Sequence, residues 1–160
     1  PIQECTGYRL PTEAEWELAA RAGTRKAIWT ERGGGDILKG WENASGCEEA
    51  WSLSDGTPID DLAWFCLNAD GHRPVAQKQP NGFGLYDMNG NVWEWVQDDY
   101  APYSGEVTDP VSTINPDAKV VRGGRWAFWA RAIRSSERGT YSPDNQRNEL
   151  GFRIARSAIE

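Results

Sequence analysis

Asn91-Val92-Trp93-Glu94-Trp95-Val96 interleaves aromatic and apolar residues with polar ones, as a strand does that packs one face inward. Ahead of it stands Pro80-Asn81-Gly82-Phe83-Gly84, a tight turn rich in residues that tolerate positive φ. Further out, Leu62-Ala63-Trp64-Phe65-Cys66 is a short apolar run that reads as a strand or part of one. Val120-Val121-Arg122 and Phe152-Arg153-Ile154-Ala155 read as further short strands. One stretch reads as helix. Thr12 is its N-cap, with Glu15 three residues on as the capping-box partner, and Trp16, Ala19, Ala20 and Gly23 share one face. Gly23 is a good stop. Residues 30–60 and 100–116 are turn and loop material. One helix, several short strands and much ordered loop make an α+β chain.

Composition narrows the function. The 160 residues fit one domain. Nine Trp, five Tyr and four Phe can fill a compact core. Trp93, Trp95 and Trp126 are assigned to it. The net charge of −7 repels phosphate, so nucleic acid is a poor partner. No run of about 18 apolar residues exists, so direct membrane insertion is not expected. The cysteines are Cys5, Cys47 and Cys66, without a C-x-x-C pair, and His72 is the only histidine. That donor set excludes a zinc site. Either Cys47 and Cys66 form a disulfide with Cys5 left over, or all three are free thiols. His72, in the turn-like Gly71-His72-Arg73-Pro74, reads as a surface residue. The adjacent pairs Asp60-Asp61 and Asp98-Asp99 cannot face each other across a site as acid and base, and read as solvated or capping residues.

Four motifs stand in order: Gly7-Tyr8-Arg9-Leu10-Pro11-Thr12-Glu13-Ala14-Glu15-Trp16-Glu17; Pro80 to Met88; Gly90-Asn91-Val92-Trp93-Glu94-Trp95; and Arg122-Gly123-Gly124 with Gly151-Phe152-Arg153. Together they closely resemble the formylglycine-generating-enzyme (sulfatase-modifying factor) superfamily. The resemblance implies an α+β, C-type-lectin-like fold of that subtype, loop-rich, with few short strands and at least one helix. It covers residues 1–160 as one such domain, with the family's N-terminal part expected to be missing. The family enzyme oxidises a substrate cysteine with two cysteines and copper. Here the first of those positions is Phe128 and the second falls at Ala132 or Ile133. Without thiolates no copper(I) site is expected, and formylglycine synthesis is not expected either. The related sulfoxide synthases hold their iron histidines in a separate domain, and a lone His72 could not replace them.

The resemblance also implies a metal site. Asp87, Gly90, Val92 and Glu94 match a calcium site of the family, two as carboxylates and two through backbone carbonyls, which is hard-oxygen chemistry suited to Ca²⁺. The rival reading is that Asp87 caps a turn and Glu94 pairs with an arginine.

The C-terminal segment alternates framework positions (Gly123, Gly124, Trp126, Ala130, Arg134, Arg138, Gly151) with clusters of unlike residues. This resembles the variable proteins of diversity-generating retroelements, which use the same fold. The expected ligand-contacting residues are Ala127, Phe128, Trp129, Arg131, Ala132, Glu137, Gly139, Thr140, Tyr141, Ser142, Asn145, Asn148 and Glu149. Aromatics supply stiff contact area, Arg131 and Glu137 charge complementarity, and Ser, Thr and Asn adaptable hydrogen bonds. The expected partner is a protein or other macromolecule, and the resemblance favours a cell-surface or extracytoplasmic place. The alternative is an accessory or diverged module, enzymatic or not. Arg9, Arg122, Arg134, Arg138 and Arg153 are expected to pair with Glu13, Glu17, Glu94 or backbone carbonyls as structural braces. Arg125, where the family usually has Ser, has no evident meaning.

Overall fold

The computed structural model describes residues 7–37, 47, 52–103, 105, 107–108 and 110–157; Cys5 lies outside them. Helix α1 spans Glu13–Arg21. The expected capping box is present: Glu15 N–H donates to the Thr12 hydroxyl at 3.1 Å and Thr12 N–H to the Glu15 carboxylate at 2.9 Å. Ala22 turns left-handed, and Gly23 follows with φ 88°. Asp98 adds a tertiary cap, accepting from Glu13 N–H at 2.7 Å. At the other end, the Asn81 amide donates to Ala19 O at 2.7 Å while its Oδ1 accepts from Phe83 and Leu85 N–H. The predicted turn therefore also anchors the helix.

Strand β1 (Tyr8–Arg9) pairs antiparallel with β6 (Ala155–Arg156). The main sheet has β2 (Trp93–Asp99), β3 (Lys119–Arg122), β4 (Arg138–Tyr141) and β5 (Leu150–Phe152), in the order β4-β3-β2-β5. β2 is central, antiparallel to β3 and parallel to β5. Glu94 stands opposite Arg122, and Arg122 opposite Arg138; Trp95 stands opposite Val121, and Val121 opposite Gly139. Because side chains alternate, this register sorts the sheet into two faces.

The face toward α1 is braced by charge. Arg122 is wholly buried over the Trp16 ring, held by Glu17, by Ser135 O at 2.9 Å and by Glu137 O. Arg138 grips Glu13 through two bonds of 2.6 and 2.7 Å. Arg153 grips Glu94 through two of 2.5 and 2.6 Å. Buried charges persist only when paired and hydrogen-bonded in this way. Arg9 donates to the Leu10 carbonyl at 3.2 Å, as expected, and also pairs with Glu15, while Arg134 pairs with Glu137, carboxylates other than those expected. Trp16, Ala20, Met88, Val96 and Val120 form the apolar core on this side. A second core gathers Ile28, Leu53, Ile59, Leu62, Phe65 and Ile133.

Several local readings are corrected. Leu62–Cys66 is not a strand. It leaves a 3₁₀ turn at Ile59–Asp61, and only Trp64 makes a bridge, to Gly90. That approach requires glycine: Gly90 has φ 78°, and a Cβ there would lie 2.1 Å from Trp64 O. Phe152–Ala155 divides into the ends of two strands, broken where Arg153 turns to Glu94. Trp93 is buried, but Trp95 and Trp126 are only half-buried. Cys47 and Cys66 are joined as a disulfide, with Cα atoms 5.3 Å apart. His72 is exposed as expected; Asp98 and Asp99 are buried, and Asp98 takes the capping role expected as an alternative to solvation.

Candidate functional site

The face of the sheet turned away from α1 carries Trp93, Trp95, Gly139 and Tyr141. Beyond β3 the chain swings over this face. Gly123 and Gly124 both have positive φ, and a Cβ on Gly124 would lie 2.4 Å from Ala132 O. Trp126 N–H then donates to Asn91 O at 2.8 Å, and Cys66 N–H to Phe128 O at 3.0 Å. The segment is thus pinned to the β2 entry on one side and to the disulfide on the other.

Between those pins the aromatic side chains join. Phe128 meets Trp93 edge-on at 6.0 Å and stacks on Trp129 at 5.8 Å. The Arg125 guanidinium lies 4.0 Å from the Phe128 ring centroid and ion-pairs with Glu149. Glu149 also accepts from the Tyr141 hydroxyl at 3.2 Å, and its carbonyl accepts from Trp93 N–H at 2.8 Å. Tyr141 stands edge-on to Trp95 at 6.3 Å. Burial raises the Tyr141 phenol above its ordinary pKa, so it stays a neutral donor. Trp129, Phe128, Arg125, Glu149, Tyr141 and Trp95 form one continuous run. Gly139 leaves room for it, since a Cβ there would meet Trp93 at 3.2 Å.

The expected contact residues divide. Phe128, Trp129 and Tyr141 are brought together, half-buried, and Ala127 and Asn145 are half-buried too. Arg131, Ser142 and Asn148 are exposed. Thr140 is exposed, but the pleat sets it on the face opposite Gly139 and Tyr141. Ala132 and Glu149 are buried, so neither offers contact surface; Ala132 lies in the 3₁₀ turn Ala130–Ile133, and Glu149 braces the run from within. Glu137 pairs with Arg134 and does not contact the aromatic run. Sequence reasoning missed Arg125, which joins the two halves of the site. Its partner Glu149 lies 24 positions away and nothing local announces the pairing.

In the loop expected to hold Ca²⁺, the two expected carboxylates both have protein partners. Glu94 is buried and accepts from Trp16 Nε1 at 2.6 Å and twice from Arg153. Asp87 accepts from Ala76 N–H at 2.8 Å. Both carboxylates are committed to protein donors, as the rival reading had it. At the positions where the resemblance would put the copper-binding cysteines stand Phe128 and Ala132 or Ile133, and Cys47 and Cys66 are bonded to each other. Glu15, Asp36 and Asp99 are held below the usual carboxylate range chiefly by hydrogen bonds from Arg9, Lys26 and Lys119, as members of ion pairs.

Comparison with known proteins accords with this geometry. The sulfatase-modifying factor enzyme 1-like domain matches residues 3–158. The chain is 37% identical to a formylglycine-generating enzyme of Streptomyces coelicolor over 95% of its own length and 48% of the relative's. It is 33% identical to the inactive C-alpha-formylglycine-generating enzyme 2 of Mus musculus, over 95% of this chain and 44% of that one. It spans about half the length of these relatives. Among solved structures, Treponema denticola variable protein 1 is similar at a TM-score of 0.71 and 32% identity, over 93% of this chain and 47% of that one.

Proposed function

The chain belongs to the sulfatase-modifying factor enzyme 1-like family, and from that premise we propose that it is a non-catalytic binding domain whose C-terminal segment displays a variable, ligand-contacting aromatic face. The observation that carries this reading is the stack of Phe128 and Trp129, half-buried where the family resemblance would put a cysteine and pinned at both ends by backbone bonds. A held aromatic pair gives contact area at little entropic cost, and aromatic and Arg residues supply most binding hot spots. Arg131, Ser142 and Asn148 add polar contacts at its rim. The partner is a protein or other macromolecule. Disulfides persist in oxidising compartments, so Cys47–Cys66 supports a place outside the cytoplasm. Among the described residues no helix is long and apolar enough to cross a membrane.

The test needs no known ligand. In a saturation library displayed on yeast and sorted for protease resistance, Phe128, Trp129, Arg131, Ser142 and Asn148 should accept most residues. Trp93, Arg122, Gly124 and Glu149 should not. If Phe128 and Trp129 prove as intolerant as Trp93, they are core and the display reading falls.

A further inference from the structure

A cleft of about 620 Å³ opens beside the end of β2, with Tyr8, Trp95, Gln97, Lys119 and Pro143 on its walls. That volume suits a small ligand or a short peptide segment. The walls are tied together: Gln97 donates from its side chain to Leu10 O at 2.9 Å and from its backbone to Pro11 O at 3.0 Å. Two of the cations here are neutralised, Lys119 by Asp99 and Arg9 by Glu15. Two others are not. The Arg156 guanidinium lies 5.3 Å from the Tyr8 ring centroid, and that of Arg147 lies 5.8 Å from Tyr141. Both are exposed, and neither pairs with a described carboxylate. Tyr8 is one wall of the cleft, and Tyr141 packs against Trp95, another. A tryptophan thus lies near two arginine–tyrosine contacts of cation–π range. A guanidinium held near a ring by that attraction still has N–H groups to offer a carboxylate.

Charge along the chain points the same way. Residues 125–160 hold seven arginines against four carboxylates, whereas residues 1–124 hold ten Lys or Arg against twenty Asp or Glu. We infer that this cleft binds an acidic, extended polypeptide segment, with its carboxylates on Arg147 and Arg156 and its chain across Trp95. Nucleic acid fits less well, because two free cations are few and the remaining surface is acidic. The cleft shares Trp95, and through it Tyr141, with the aromatic run, while Phe128 and Trp129 take no part in it.

Fluorescence anisotropy on the full chain tests it, with a labelled peptide of alternating Glu and Gly and its Gln counterpart as probes. The Glu peptide should bind, more weakly as salt rises, and the Gln peptide should not. R147Q and R156Q should each weaken binding about tenfold, the worth of one charge-assisted contact, at unchanged melting temperature. D144N should strengthen it by removing an exposed carboxylate next to Pro143. Equal binding of the Gln peptide, indifference to both arginine changes, tighter binding of a single-stranded oligonucleotide, or self-association of the chain that displaces the peptide would each overturn the inference.

Discussion

Glu94→Gln separates two accounts of one loop. Glu94 accepts from Trp16 Nε1, Arg153 Nε and Arg153 Nη2. Glutamine keeps an acceptor for the indole, but it removes the charge facing Arg153 and turns one oxygen into a donor. Breaking a buried ion pair costs about 3–5 kcal/mol. The Arg153 side chain is 24% exposed and can rehydrate, which draws the expected loss down to about 2–3 kcal/mol. In a domain of this size that is a fall in melting temperature of about 4–12 °C. Urea unfolding of parent and variant, in millimolar CaCl₂ and in EDTA, measures it. The loss should be the same in both, and the parent should be indifferent to Ca²⁺. An ion at a hundredfold its Kd would instead stabilise the parent by about 2.7 kcal/mol. If the parent shows such a gain and the variant does not, Glu94 is a ligand and its pairing with Arg153 is not what the loop is built for.

Reducing Cys47–Cys66 reopens a loop of sequence separation 19, and should cost about 3 kcal/mol in urea unfolding. Because Cys66 N–H holds Phe128 O, Trp129 fluorescence should change before global unfolding. Glu15 and Asp99 have lowered pKa values when folded, so the unfolded chain binds more protons at acid pH. Their stabilisation should be complete above the ordinary carboxylate range and fade as pH falls through the lowered values; in pH-resolved urea melts the deficit of Asp99→Asn should shrink toward zero on that descent. Gly90→Ala forces a Cβ against Trp64 O at positive φ, and should destabilise by about 3 kcal/mol or more, read as a lower urea midpoint.

What the sequence made legible follows from range. The capping box of Thr12 and Glu15 is a four-residue pattern and stands as read. The strand at Trp93–Asp99 announces itself by aromatic interleaving. The helix face that buries Trp16 was readable, but not the fact that Trp16 would donate to Glu94, 78 positions on. β4 was missed because Arg138-Gly139-Thr140-Tyr141 has little intrinsic strand character. Gly139 sits in the sheet where a Cβ would lie 2.8 Å from Val121 Cγ2 and 3.2 Å from Trp93. Leu62–Cys66 misled because a short apolar run is buried equally well in a 3₁₀ turn and a bridge as in a strand. Ala132 and Glu149 were placed on the surface by pattern, and packing moved them inside. The Arg125–Glu149 pair joins two segments that only the sheet brings together.

Sequencing this gene and its flanks from several isolates tests the central claim most directly. The account predicts a near-copy of the coding segment from Arg122 to Arg153 beside a reverse transcriptase. It also predicts substitutions at Ala127, Phe128, Trp129, Arg131, Tyr141, Ser142, Asn145 and Asn148, with Arg122, Gly123, Gly124, Arg125, Arg138 and Glu149 unchanged. An invariant segment with no nearby copy, or changes that fall on the braces as often as on the aromatic face, would contradict it.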